Sequence, residues 1–229
     1  NINFPEDIRS KIEAFRKDID IDFLRTDIKD LIKSCIEGTE RTKNIVLDLK
    51  NFSRMEEMVL TQFDIPKEID TTLNILNNKY KNRITVVKNY APDTPKIEAY
   101  GGQLNQVFMN ILDNAQDAMG ESGTLTINTY KVHNKVKIEF IDTGSGIPEE
   151  NLKKVFDPFF TTKPVGKGTG LGMSISYRVI KDHKGTIEVE STVGVGTKFT
   201  ITLPINHDDK EETMEEEIIE DLRKENGVE

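Results

Sequence analysis

Val136-Lys-Ile-Glu-Phe-Ile-Asp-Thr-Gly-Ser-Gly-Ile-Pro148 is the stretch whose reading decides the fold. Its first half alternates apolar and polar residues, so Val136, Ile138 and Phe140 share one face of a strand. That strand delivers Asp142 to a sheet end. Gly144 and Gly146 then let the backbone turn tightly and approach a flat ligand. A carboxylate in that position can accept a hydrogen bond from an exocyclic amino group. Standing alone, the same residues also describe a plain glycine turn after a strand.

Moving upstream, Leu125 to Tyr130 alternates in the same way and pairs with Val136 to Ile141 around a turn at His133 and Asn134. Before it, Gly101 to Met119 reads as a helix. Leu104, Val107, Phe108, Ile111, Leu112, Ala115 and Met119 form its apolar face, and Gln103, Gln106, Asn110, Asn114 and Asp117 form a polar stripe. Amides on one face can coordinate a hard cation through their carbonyls and still donate hydrogen bonds. A solvated helix face has the same appearance. Further upstream, residues 65 to 80 suggest a helix, 84 to 90 a strand and 91 to 95 a proline-containing loop.

Downstream, Asn151 to Phe156 suggests a short helix. Gly166-Lys-Gly-Thr-Gly-Leu-Gly172 sits in a glycine-rich loop spanning 161 to 170 that runs into a helix over Leu171 to Asp182. The N–H groups and positive dipole end of such a helix suit phosphates. The loop is not a Walker sequence, since no Gly-Lys-Ser/Thr follows at the required spacing. No strand feeds directly into it, which excludes a Rossmann fingerprint. Strands over Thr186 to Ser191 and Thr197 to Leu203 close the region. Helices with an antiparallel or mixed sheet, without regular βαβ repeats, indicate an α+β layer.

The order and spacing of these pieces carry more than any one of them. The polar-stripe helix, the Asp142 box, Phe156-Asp-Pro-Phe-Phe-Thr-Thr-Lys163 and the glycine lid together resemble the ATP-binding domain shared by histidine kinases, gyrase B, MutL and the large heat-shock chaperones. The resemblance covers about residues 64 to 204. The Phe-Thr-Thr-Lys box, the Gly-Lys-Gly-Thr-Gly-Leu-Gly lid, and Asn-Phe-Ser-Arg54 closing a long helix look like histidine kinases in particular. The resemblance implies a two-layer α/β sandwich with a mixed sheet, ATP and Mg²⁺ as cofactors, and a response-regulator receiver domain as partner. It implies that Asn114 holds Mg²⁺, with Asn110 assisting through the metal or phosphates. Asp142 would bind the adenine amino group, with Gly144 and Gly146 letting the base sit close, Ile147 beside them and Thr197 lining the pocket. Phe160, Thr161, Thr162, Lys163 and the lid at Gly168, Thr169, Gly170, Leu171 and Gly172 would face the nucleotide, as would Asp117. Gln116-Asp117-Ala118 departs from the basic-aromatic pair that many members carry after the second Asn.

The ATPases of the superfamily carry a Glu one turn before the metal Asn, where it activates water. Asn110 occupies that position and has no useful basicity. Water activation is therefore disfavoured, and a kinase with a neutral imidazole nucleophile needs less help of this sort. The leading expectation is phosphoryl transfer from ATP to a histidine, relayed to a response-regulator aspartate. The competing reading is a degenerate ATP-sensing or scaffolding module, and a gyrase-like ATPase is third.

The family's acceptor histidine sits on the first helix of a dimerising bundle. His133 in a turn, His183 near a helix end and His207 after the last strand lack that context, so no phosphoacceptor is expected in this chain. Residues 5 to 19 read as a helix with Pro5, Glu6 and Asp7 at its start. Residues 22 to about 55 form a long one, on which Leu24, Ile28, Leu31, Cys35, Gly38, Thr42, Ile45, Leu49 and Phe52 step by four and three. Such a hairpin is half of a four-helix bundle and predicts a homodimer. At about 1.5 Å per residue the second helix runs roughly 50 Å and the first about 22 Å. The expectation is that the first helix continues upstream and bears the acceptor there. The organisation expected is a partial hairpin over 1–60, an ATP-binding domain over 61–206 and an acidic tail over 207–229.

Composition agrees. Of the formal charge of −9, the residues from His207 onward hold 11 acidic against 3 basic, and the remainder is near neutral at 29 against 28. No basic face argues for nucleic acid. The single cysteine, Cys35, excludes an internal disulfide, and its neighbours Leu31, Ile32 and Ile36 suggest a buried thiol. No apolar run approaches the roughly 18 residues that cross a membrane, so a cytoplasmic protein is expected, at a membrane only if an upstream sensor part is embedded.

Overall fold

Strand β5 (Lys135–Asp142) buries Val136, Ile138, Phe140 and Asp142, every second residue, as the alternation predicts. The computed structural model describes residues 5–18, 20–53, 59–76, 80–81, 83–164 and 168–207. The acidic tail and Arg54 lie outside the described residues, as do residues 165–167 of the glycine loop. The chain divides into two compact units, one of Asn1–Lys50 with Lys163–Thr169, the other of Asn51–Thr162 with Gly170–Glu229.

In the larger unit, β4 (Gly123–Val132) pairs antiparallel with β5 across the expected turn, where His133 takes φ 52°. On its other side β5 pairs antiparallel with β7 (Gly196–Pro204), and β7 with β6 (Thr186–Thr192). Strand β2 (Ile84–Tyr90) joins β4 in parallel, so the mixed five-stranded sheet has the order β2-β4-β5-β7-β6. Helix α4 (Gly101–Met119) packs on β4, β5 and β7 and on the flanking helices α3 (Ile65–Ile75) and α6 (Gly172–Asp182). All seven apolar positions read from the sequence of α4 are buried. The Phe108 ring lies 5.8 Å from Phe140 on the sheet and 6.1 Å from Phe63. This is an α+β architecture with a mixed sheet, as expected.

Some elements differ from the expectation. Helix α3 stops at Ile75, with Asp64 capping its first turn through Lys67 N–H at 3.3 Å. A two-stranded ladder of β1 (Thr61–Phe63) and β3 (Ile97–Ala99) was not anticipated. Three residues are too few to show a period, and the partners are far apart in sequence. The short helix α5 (Glu149–Leu152) is a single turn starting two residues earlier than read.

His183 closes the helical layer. Its Nε2 accepts the Tyr100 N–H at 3.1 Å, at the N-terminus of α4, and its Nδ1–H donates to Val179 O at 2.7 Å. Both ring nitrogens are therefore used by a neutral tautomer, and Tyr100 and His207 meet the ring edge-on. Burial holds His183 below the usual imidazole range, and the nearby His207 adds to the effect against the Val179 bond and Asp182. A depressed folded-state pKa means that the unfolded chain binds the proton more readily. The stabilisation is complete above about pH 6.5 and is lost as pH falls below it. Urea denaturation across pH 7.5 to 5 is expected to show this loss, and His183→Gln is expected to flatten that part of the profile.

The other unit contains α1 (Glu6–Asp18) and α2 (Ile21–Ser53) except the last three residues of α2. Asp20 separates them at φ 42°, and its Oδ1 accepts the Phe23 N–H at 3.2 Å, capping α2. Ile8, Ile12 and Phe15 of α1 are exposed, as are Leu24, Ile28, Leu31, Ile32 and Ile36 of α2. Cys35 is exposed with them, against the expectation of a buried thiol. Its apolar neighbours share a helix face that the chain itself leaves open to solvent, so helical spacing with Leu31 and Ile32 does not bring burial. Among the described residues, no helix is long and apolar enough to cross a membrane.

Candidate functional site

Asp142 stands opposite Thr197 in the β5–β7 ladder, and both side chains are buried between sheet and helices. Asp142 Oδ1 accepts the Gly144 N–H at 2.8 Å and the Thr197 N–H at 3.3 Å. Among the described residues Oδ2 takes no donor. Burial raises the Asp142 carboxyl above the ordinary range, opposed by the two backbone donors. The arrangement is a fixed carboxylate with one oxygen saturated by protein and one left for a ligand.

The loop after Asp142 is held from two sides. Ser145 N–H donates to Ala118 O at 3.0 Å, at the C-terminal end of α4, and Ser145 O accepts Gly194 N–H at 2.8 Å. A Cβ on Gly144 would lie 2.7 Å from the Ala118 backbone and Cβ. Gly146 has φ 72°, and a Cβ there would run into the Thr192 carbonyl and lie 2.9 Å from Val193 Cα. Both glycines are thus required by protein packing against their own neighbours, a reason separate from close approach of a base.

Ser191 was not singled out in the sequence. Its Oγ accepts the Ile147 N–H at 2.8 Å, donates to Gly196 O at 2.8 Å and lies 2.9 Å from Thr197 Oγ1. One hydroxyl thereby ties the Asp142 loop to the start of β7. The available signal was register: Ser191 faces Thr197 directly across the β6–β7 hairpin, which becomes visible once the turn at Gly194 is recognised.

Helix α4 joins the Asp142 loop to the amides. Asn110 Nδ2 donates to Gly172 O at 2.9 Å and to Ser176 Oγ at 3.1 Å. Gly172 O and Ser176 are at the start of α6, and Gly172 O can only accept, so the orientation of the amide is dictated. Both Nδ2 hydrogens are committed, and Asn110 has only its carbonyl oxygen left to offer. Asn114 follows one turn later, half-buried, and Asp117 is exposed beyond it. The Ala118 contact places the end of this same helix against the Asp142 loop.

The phosphate-side residues are divided. Gly170, Leu171 and Gly172 belong to the larger unit, where Phe159 N–H donates to Gly170 O at 2.9 Å. Helix α6 starts after Leu171 without a side-chain cap. Phe160 is half-buried and Thr161 and Thr162 are exposed. Lys163, Gly168 and Thr169 belong to the helical unit, so the larger unit holds Asp142, Gly144, Gly146, Ile147 and Thr197, with Asn110 and Gly172 on α4 and α6, but not Lys163.

Such a donor set fits a nucleotide. The buried carboxylate oxygen and the Thr197 hydroxyl suit a base edge with N–H groups, and amide carbonyl oxygens suit a hard divalent cation. Comparison with known proteins points the same way. Residues 100–207 match the family described as histidine kinase-, DNA gyrase B-, and HSP90-like ATPase. The sensor kinase CckA of Brucella abortus is 37% identical over 183 residues, which are 73% of this chain and 19% of that protein. The catalytic domain of histidine kinase ThkA superposes with a TM-score of 0.61 at 32% identity, covering 67% of this chain and all of that domain (100%). A structure of ThkA in complex with a response regulator protein aligns over 91% of this chain and 55% of that one, at TM-score 0.64 and 24% identity, a likeness of fold. The chain spans between 19% and 37% of the length of the curated relatives it matches.

Proposed function

Because the chain belongs to the histidine kinases and carries the ATP-binding catalytic domain of sensor kinases, we propose that it directs the γ-phosphoryl group of ATP onto a histidine, for relay to a response-regulator aspartate. The observation that carries this reading is Asp142, buried, with Oδ1 held by two backbone donors and Oδ2 left to accept the base amine. Thr197 and the Asp142 loop position the base. Asn114, with the remaining carbonyl of Asn110, would hold Mg²⁺, which neutralises phosphate charge when bound. Asn110 acts by coordination alone, since its N–H groups are spent on α6. The first turn of α6 with Gly170 and Leu171, and Thr161, Thr162 and Phe160, would enclose the phosphates; Lys163, Gly168 and Thr169 are assigned to the phosphates by the family resemblance alone. Asp117 would sit at the edge of this set.

No group at Asn110 can activate water, which supports a kinase over an ATPase. Positioning and charge neutralisation then carry most of the transfer. The acceptor is not His183, whose ring nitrogens are both engaged in a buried neutral ring. His133 sits in the β4–β5 turn and His207 after β7, so the acceptor imidazole is one that these residues do not include. The open apolar faces of α1 and α2 support a homodimer formed through these helices. A response-regulator receiver domain would be the partner for relay; ThkA is known in complex with a response regulator protein. The domain would work on the cytoplasmic side of a sensor.

The test is to join the chain to the histidine-bearing helix of its intact kinase and add Mg²⁺ with γ-labelled ATP. An acid-labile, alkali-stable label on that helix is expected, and Asn114→Ala is expected to lower its rate at least about 100-fold. Nucleotide binding without label would instead favour an ATP-sensing scaffold. No nucleotide binding would remove both readings.

A further inference from the structure

Strand β7 runs between β5 and β6, and its Thr197 is registered with Asp142 on one side and Ser191 on the other. The Ser191 hydroxyl donates to Gly196 O at 2.8 Å. That carbonyl and the Thr197 N–H belong to one peptide group, which is planar and points its C=O and N–H in opposite directions. On the far side the Thr197 N–H donates to Asp142 Oδ1 at 3.3 Å. A hydrogen bond given to a peptide carbonyl polarises the group and makes its N–H a stronger donor. The second contact of Ser191 Oγ is with the Ile147 N–H, which it accepts at 2.8 Å. Ile147 closes the glycine loop that carries Gly144, and the Gly144 N–H is the other donor to Asp142 Oδ1, at 2.8 Å. One hydroxyl thus reaches both arms that hold the carboxylate.

We infer that Ser191 is a positioning residue for nucleotide binding: through the Gly196–Thr197 peptide on one side and the Ile147 amide on the other, it holds the two backbone donors that fix Asp142 Oδ1, and so aims Oδ2 at the base. An Asp carboxylate turns in a broad torsional well, so its aim is set by whatever holds its oxygens. The Thr197 bond is the longer of the two and depends more on support from behind. Without the Ser191 hydroxyl, the carbonyl of the buried Gly196 loses a donor and the Ile147 N–H loses its acceptor. The argument is the same whichever way the Thr197 hydroxyl turns. The inference rests on the adenine reading of Asp142 and deepens it by naming what keeps that carboxylate in place.

The experiment titrates ADP with Mg²⁺ into the full chain as wild type, Ser191→Ala, Ser191→Thr, His183→Gln and Asp142→Asn by calorimetry, with thermal melting to follow folding. The amide proton of Thr197 is followed by NMR without nucleotide. Ser191→Ala is expected to weaken ADP about fivefold to twentyfold, the effect of one buried hydrogen bond, and to move the Thr197 amide proton upfield. Ser191→Thr keeps a hydroxyl and is expected to return both readouts toward the wild type, even if its melting temperature changes. His183→Gln, destabilised far from the site, is expected to bind ADP as the wild type does. Wild-type affinity or an unmoved Thr197 proton in a folded Ser191→Ala, while Asp142→Asn loses ADP, would overturn the role of Ser191 and leave the adenine reading standing. Equal losses in Ser191→Ala and Ser191→Thr, or a loss of the same size in His183→Gln, would also overturn it, since shape or stability would then be the cause. Unchanged ADP affinity in Asp142→Asn would overturn both readings. If Ser191→Ala does not fold, Ser191→Cys decides, because a thiol is a weaker donor: intermediate affinity and an intermediate Thr197 shift are expected, and wild-type values remove the inference.

Discussion

Asp142→Asn is expected to weaken ATP at least about 100-fold and to leave the domain folded. Oδ1 of Asp142 faces two backbone N–H groups, from Gly144 and Thr197. In the variant the amide oxygen must take that place, because an NH₂ there would meet two donors. The NH₂ is then forced to where Oδ2 was, and presents donors to the amine of the base. The variant loses a charge-assisted hydrogen bond, about 1.5–3 kcal/mol, and gains a donor–donor conflict. Folding works in the other direction. Burial raises the Asp142 carboxyl, so the folded state favours the neutral form. The charge opposes folding at all pH above the ordinary carboxylate value, and the opposition is relieved as pH falls toward about 4. A neutral side chain that keeps both backbone hydrogen bonds is therefore expected to melt no lower than the wild type at pH 7. Calorimetric titration with ATP and a thermal melt check both halves. Unchanged affinity would place the adenine pocket elsewhere.

Gly146→Ala is expected to lose at least about 3 kcal/mol of unfolding free energy, and Gly194→Ala only about 1 kcal/mol. Both glycines have positive φ, at 72° and 78°. The left-handed backbone alone costs an L-residue roughly 1–2 kcal/mol. At Gly194 nothing lies within 4 Å of the added carbon, so that cost stands alone. At Gly146 the carbon runs into the Thr192 carbonyl and approaches Val193 Cα, and neither belongs to a flexible side chain. Forcing such an overlap typically adds 1–3 kcal/mol. Urea denaturation of the two variants measures the difference, and a melting temperature about 10 °C lower is expected for Gly146→Ala. Equal losses in the two variants would mean that the Asp142 loop moves off β6 at little cost.

Much of the fold was legible because its elements are long and one-sided. β5 alternates over four buried positions and α4 repeats over seven, and in both the buried set is the one that the spacing selects. The Asp142 box was legible because a strand running into closely spaced glycines is a local pattern. The β1–β3 ladder was hidden, since short strands distant in sequence leave no period. The exposure of Cys35 was also hidden, because helical spacing identifies an apolar face without saying what covers it.

By itself, then, the sequence determined the long elements, the α+β class and the family, and it singled out Asp142 as the candidate carboxylate. These follow from periodicity and from the order of short motifs, which depend only on neighbours along the chain. Tertiary structure alone decided how the polar atoms are used. Asn110 spends both N–H groups on α6 and keeps only its carbonyl. Gly144 and Gly146 are glycine because Ala118 and Thr192 occupy the space beside them. Ser191 and Thr197 share a hydrogen bond because the β6–β7 register sets the two hydroxyls side by side. Hydrogen bonds have direction, and whether a group donates or accepts depends on atoms brought close from distant parts of the chain. No spacing along the sequence records that.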